Sequence, residues 1–209
     1  MIAEPKIQPK TKNIRLTKLN RLLPLVAIGT VADCQSIIEP TNRMLVKAGI
    51  QILQSNSHKI AGLSELLNQS GLSKKIQEGY QLTSQDLGFV LSPILNSSGR
   101  ISHARLSIAT LLKDPKIDNV NQLVTENIEF FEKSEPELAK FLIDTNAERK
   151  VMVKSILGEV EQTAKDQVES GQKIIWLEGN WSKGIIGLLA SRLVNQYSLP
   201  IIVVSKSGE

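Results

Sequence analysis

The sequence predicts an α/β chain, helical over most of its length and ending in a strand–helix–strand unit. Three observations predict it. Apolar residues recur at helical spacing from Leu16 onward. Ser134-Glu135-Pro136-Glu137 reads as a capping box opening one very long helix. After Lys173 the period shortens to two apolar, β-type runs around a further helix.

The elements follow in order. Residues 1–13, polar and carrying Pro5 and Pro9, read as a flexible lead-in. Leu16, Leu19, Leu22, Leu23 and Val26 then form a helical stripe that Pro24 is expected to kink or break. The stripe runs into Gly29-Thr30-Val31-Ala32-Asp33. A helix is predicted over about 41–54, with Met44, Leu45, Ala48, Ile52 and Leu53 on one face. A shorter helix over 64–72 ends near Gly71. Thr83-Ser84-Gln85-Asp86 starts another, expected to stop before Pro93 because the residue ahead of a proline avoids the α region. Asn96-Ser97-Ser98-Gly99 has the composition of a turn. Helices follow over about 102–113, stopped by Asp114-Pro115, then 119–133 and 134–169. A strand over 173–177, a helix over 184–197 and a strand over 200–205 complete a βαβ pattern, which implies a parallel pair. Two strands do not make a stable sheet, so the last domain reads as cut short. The domain reading is a lead-in (1–13), a mainly helical domain (14–133), a connecting helix (134–170) and the start of a second domain (171–209).

Composition sets the class. Hydrophobic residues are 41% of the chain and the net charge is +4, which suits a polyanionic partner without requiring one. Aromatic residues are only 4%, so a grip on single strands would lean on phosphate contacts more than on stacking. No apolar run has the length of a membrane span, the start lacks the pattern of a secretion signal, and Cys34 is the single cysteine. The chain therefore reads as cytoplasmic.

Three places carry possible chemistry. Asp33 stands where an apolar stretch ends, and a carboxylate there is a hard ligand suited to Mg²⁺ or Mn²⁺. It could equally cap the segment or pair with a cation. Asn96 to Gly99, followed by Arg100, offers backbone N–H groups and a guanidinium that can clamp phosphate bidentately. The alternative is an ordinary connecting turn. His103, three residues on, reads as a surface or supporting group as readily as a catalytic one. Trp181-Ser182-Lys183-Gly184-Ile185-Ile186-Gly187 leaves a strand and opens a helix, a position that favours an anion. Helix-on-sheet packing explains its two glycines about as well. The sequence holds two histidines, His58 and His103, and no Asp-x-Asp pair, Walker loop, nucleophile elbow or cysteine cluster. It shows no complete catalytic centre.

Taken in order, these segments resemble the RecJ family of single-strand-specific DNA exonucleases, within the DHH phosphoesterase superfamily. Leu25 to Asp33 followed by Asn42 to Gly49 resembles the end of the catalytic domain. Ser92 to Arg100 is similar to the next motif. Asn146-Ala147-Glu148-Arg149-Lys150 falls where the family has its connecting helix, and Trp181 to Arg192 resembles the start of the DHH-associated domain. The resemblance implies 5′-to-3′ hydrolysis of single-stranded DNA in repair and recombination, with two Mn²⁺ or Mg²⁺ ions activating a water. Asp33 would be a catalytic metal ligand. Arg100 would hold phosphate near the cleaved bond. Asn96, Gly99, His103, Trp181, Gly184 and Gly187 would join Arg100 in contacting the strand. Implied partners are single-stranded DNA and, beyond it, a single-strand-binding protein or a helicase.

The family's Asp-x-Asp and Asp-His-His motifs and its Gly-Gly-His segment do not occur in this sequence, and Ser97-Ser98 stands where two alanines are usual. The expectation is a fragment of such an exonuclease, inactive as an isolated chain. The alternative is a non-catalytic DHH-like relative that binds nucleic acid or serves as a replication scaffold.

Overall fold

The computed structural model describes residues 19–112 and 133–206. The expected lead-in, the Asp114-Pro115 stop and the helix over 119–133 lie outside the described residues. The rest is largely helical, with one two-stranded sheet near its C-terminal end.

The described residues divide into two compact units. The first holds residues up to Pro93 together with 109–112 and 133–140. The stripe is interrupted by a turn at 21–22, as Pro24 predicts, and the first helix, α1 (Leu23–Ala32), starts one residue ahead of that proline. A proline in the first turn gives up an N–H that has no intrahelical partner there, and its fixed φ suits the helix. Helix α2 (Pro40–Gln54) repeats the device with Pro40 and buries Val46, Gly49 and Leu53. Gly49 is what lets α2 lie against α1. A Cβ there would come 2.5 Å from both the Ala27 Cβ and the Leu23 carbonyl oxygen. Helix α3 (Ala61–Gln69) ends just before Gly71, which takes a left-handed φ of 80°, and the chain at once enters a short α4 (Leu72–Gln77).

The Thr83 signal holds. The Asp86 carboxylate accepts from the Thr83 backbone N–H at 2.8 Å and from its hydroxyl at 2.9 Å, capping the single turn α5 (Ser84–Asp86). The predicted stop before Pro93 does not occur. A π-helical turn (Leu87–Leu91) leads directly into α6 (Ser92–Ile101), where Pro93 is the second residue. A first-turn N–H is dispensable, and the wider π turn ends where the proline begins. Helix α7 (Arg105–Leu112) follows.

The turn expected at Asn96–Gly99 is also corrected: those residues lie inside α6, and the break comes at 102–104. Ser97 and Ser98 are fully buried. Their hydroxyls are satisfied without leaving the helix. Ser97 Oγ donates to the Ile94 carbonyl at 2.6 Å, and Ser98 Oγ lies 2.8 Å from Ser107 Oγ. Turn-forming residues stay helical when nearby carbonyls take their protons.

The second unit comprises Ile94–Ile108 and the described residues from Phe141 on. The long helix α8 (Glu135–Glu169) opens as predicted, with Glu137 accepting from the Ser134 N–H and hydroxyl, each at 2.7 Å. Its Val153, Ile156, Val160 and Ala164, at three- and four-residue spacing, form one side of a core. Strand β1 (Ile175–Gly179) adds Ile175 and Leu177, and α9 (Lys183–Tyr197) adds Ile185, Leu189 and Leu193. Strand β2 (Ile201–Ser205) pairs with β1 in parallel, Ile175 opposite Ile201 and Gly179 opposite Ser205.

Candidate nucleic-acid interface

The second unit brings two of the three sequence-predicted segments together. Arg100 is the next-to-last residue of α6, and Gly184 is the second residue of α9. A Cβ on Gly184 would lie 2.8 Å from the Arg100 carbonyl carbon and Cα, and closer still to its oxygen. The glycine therefore lets the end of α6 meet the start of α9 backbone to backbone. Arg100 Nη1 donates to the Gly184 carbonyl at 3.2 Å, which fixes one edge of the guanidinium. Ser182 caps α9, its hydroxyl accepting from the Gly184 N–H at 3.3 Å.

Gly187 behaves differently. Nothing lies within 4 Å of the position its Cβ would take, so packing does not explain this glycine. It is exposed, one turn beyond Gly184. Trp181, counted from sequence among strand-contacting residues, is 7% exposed and belongs to the core with Ile185 and Leu177. A Cβ on Gly179 would come 2.5 Å from its ring. The indole is almost wholly covered, so its work here is packing.

Two further arginines belong to this place, and neither stood among the sequence-predicted site residues. Arg149, on α8, donates from Nη2 to the Asn146 side-chain oxygen at 2.9 Å. Its Nε is buried with no hydrogen-bond partner. Burial holds the Arg149 guanidinium below arginine's usual range, and the charges of Arg100 and Arg192 depress it further. Among the described residues none of these three arginines forms an ion pair with a carboxylate. The signal in the sequence was Asn146 three residues ahead of Arg149, which puts both on one face. Arg192 lies eight residues, about two turns, beyond Gly184.

Asn96 and Gly99 are exposed on α6, with Asn96 one turn ahead of Arg100, and His103 is exposed in the break that follows. Asp33 belongs to the first unit. It is the exposed C-cap of α1, its N–H donating to the Gly29 carbonyl at 3.0 Å. Asn42 and Arg43 pin the loop behind it, bonding to the Ser36 and Ile37 carbonyls at 3.0 Å each. A groove of about 610 Å³ in the same unit, lined by Ile37, Arg43, Val46, Lys47, Ile50 and Leu82 among others, contains none of the predicted site residues. Among the described residues no three His, Cys, Asp or Glu side chains gather where a metal ion could be held. One carboxylate does not make a two-ion site, so Asp33 alone does not fit the pair of metals.

No family model matches the chain. It is similar to the single-stranded-DNA-specific exonuclease RecJ of Escherichia coli, 26% identical over 201 residues, which are 95% of this chain and 31% of that protein. RecJ of Bacillus subtilis is 32% identical over 190 residues, 91% of this chain and 21% of that protein. Among solved structures, RecJ of Thermus thermophilus in complex with Mn²⁺ aligns with a TM-score of 0.66 at 22% identity, covering 90% of this chain and 24% of that one. That likeness speaks for the fold alone. The chain spans between about a fifth and a third of the length of these curated relatives.

Proposed function

From a chain distantly but consistently homologous to the RecJ exonucleases along about nine-tenths of its length, we propose the strand-gripping part of a single-stranded-DNA exonuclease. The observation that carries the reading is the locked meeting of α6 and α9, where Gly184 holds Arg100 in place. A guanidinium fixed at one edge and half-exposed at the other presents its remaining donors to a phosphate without first being ordered. Asn96, one turn back on the same face of α6, adds an amide to the same surface.

In this reading the first unit is the end of a DHH-type catalytic domain, α8 the connector, and the β1–α9–β2 unit the start of the associated domain. Asp33 would be the one carboxylate this chain offers toward Mn²⁺ or Mg²⁺, the ions with which the solved relatives are complexed, and by itself it would not hold them. Such ions would supply an activated water and neutralise the departing oxygen. This chain's own residues hold and orient the strand. Hydrolysis, 5′-to-3′ polarity, a role in DNA repair and recombination, and partnership with a single-strand-binding protein or helicase belong to the whole exonuclease in the same proposal.

The test is binding of a 5′-fluorescein-labelled oligothymidine by the full chain, with Arg100→Gln beside the wild type. The proposal expects single strands to compete and blunt duplex to compete poorly, with Arg100→Gln weakened about tenfold, as befits one lost charge-assisted contact. Equal binding by Arg100→Gln would overturn it.

A further inference from the structure

The groove along α2, in the first unit, has chemistry that the strand-gripping residues do not use. We propose that it docks a protein partner through a short peptide segment carrying apolar side chains and, toward the Arg43 end, carboxylates.

Helix α2 builds the groove by clamping a loop at each of its ends. Near its start, Arg43 Nε donates to the Ile37 carbonyl and Asn42 Nδ2 to that of Ser36, each at 3.0 Å. At its last residue, the Gln54 amide donates to the Tyr80 carbonyl and accepts from the Leu82 N–H, each at 2.8 Å. Between the clamps runs an open groove of about 610 Å³. Arg43, Lys47, Ile50 and Gln54, spaced three and four residues apart, turn one face of α2 along it. From Arg43 to Gln54 the helix rises about 16 Å, the length of about five residues of extended peptide.

The lining is divided in kind. Ile37, Val46, Ile50 and Leu82 supply the apolar surface, and Ile37 leaves 44% of its own surface to solvent. Arg43 and Lys47 are the charged residues of the lining, with no Asp or Glu beside them, and neither forms an ion pair among the described residues. With Nε held by Ile37, Arg43 keeps both Nη groups for a carboxylate. Gln81 lies between the two residues that Gln54 clamps. Its backbone N–H makes no hydrogen bond among the described residues and is a donor for a peptide carbonyl. No aromatic ring lines the groove, so the stacking platform that a nucleic-acid strand uses is missing. An apolar trough with two unopposed cations fits an acidic, apolar peptide by charge complementarity.

The test follows the backbone amide resonances of the full chain by NMR. The probe is a short synthetic peptide with leucines at one end and glutamates at the other, made in both orders. Docking predicts that amides within 43–54 and 81–84 move together and saturate, while a peptide with lysines in place of the glutamates leaves them still. Lys47→Glu, an exposed change, should weaken the acidic peptide about tenfold, the worth of one charge-assisted contact. It should also admit the lysine peptide, a swap that misfolding cannot produce. Amides that ignore the acidic peptide, or that respond equally to the lysine peptide, overturn the proposal. If oligothymidine moves the same amides and the acidic peptide does not, the groove belongs to nucleic acid. If concentrating the protein alone moves them, a second copy covers the groove. Either result also overturns the peptide as its occupant. Arg100 lies outside the groove, so the strand-gripping reading stands or falls separately.

Discussion

Gly184 and Gly187 stand one turn apart on α9 and make opposite predictions for the same substitution. Gly184→Ala would drive a methyl against the Arg100 backbone, 2.8 Å from its carbonyl carbon and nearer its oxygen. Backbone cannot rotate away as a long side chain can, so the end of α6 and the start of α9 must part. Overpacking of this kind costs about 1–3 kcal/mol. At Gly187 the methyl enters open space, and replacing a mid-helix glycine by alanine gains roughly 0.8–1.0 kcal/mol. The two variants should therefore differ by about 2–4 kcal/mol, each kcal/mol moving the melting temperature about 2–4 °C in a chain of this size. Thermal and urea denaturation followed by circular dichroism at 222 nm measures the difference, and oligothymidine binding on the same samples adds the functional side. Gly184→Ala should lose strand affinity together with stability. Gly187→Ala should gain stability and leave strand affinity as it is, since its methyl meets nothing. Two variants of equal stability would refute the close-approach argument.

His58 is 1% exposed, with Nδ1 accepting the Ile60 N–H at 3.0 Å, so the neutral ring carries its proton on a buried, unpartnered Nε2. Burial lowers its pKa from 6.5, so the unfolded chain takes up the proton first. Stability should be full above about pH 6.5 and fall as pH drops toward the lowered folded value. Denaturation midpoints between pH 8 and 5 check this, with His58→Gln expected to flatten the slope. Thr83→Ala removes the cap hydroxyl that bonds Asp86 and should cost about 1 kcal/mol by urea denaturation. Trp181→Ala should cost about 3–5 kcal/mol in the same assay, as a core deletion does. Asp33→Ala should leave stability within about 0.5 kcal/mol by the same measure, since the carboxylate is exposed and has no hydrogen-bond or ion-pair partner among the described residues.

Much of the fold was legible because local signals and burial agreed. The Thr83 and Ser134 capping boxes and the β1–α9–β2 alternation are local signals that the packing keeps, whereas the apolar face expected on α2 is turned, with Val46, Gly49 and Leu53 buried and Met44 65% exposed. The corrections come where tertiary contacts override local chemistry. Asn96-Ser97-Ser98-Gly99 has turn composition, yet its serines find carbonyl acceptors and Ser107 inside a buried helix face. Pro93 reads as a stop because the sequence does not reveal the π turn, with the Ser92 N–H bonded to the Leu87 carbonyl, that carries the helix past it. At the candidate site, Arg100 and Gly184 were visible as separate segments. Their contact, 84 residues apart in the chain, was not. Arg149 escaped for a related reason: on a long charged helix it resembles every other solvated cation, and only its burial beside Arg100 and Arg192 distinguishes it. Trp181, counted among the strand-contacting residues from its place ahead of a helix start, is held in the core with its ring against Gly179, a contact the sequence does not show.

If this chain grips a single strand through its phosphates, by way of Arg100, its binding must respond to salt. The most direct measurement is therefore the salt dependence of oligothymidine binding by fluorescence anisotropy, for the wild type and for Arg100→Gln. Affinity should fall linearly on a log–log plot against salt, with a slope of about −0.7 per phosphate contacted. Arg100→Gln should make that slope shallower by about one contact's worth. Binding that ignores salt, or a slope the substitution leaves unchanged, would contradict the grip.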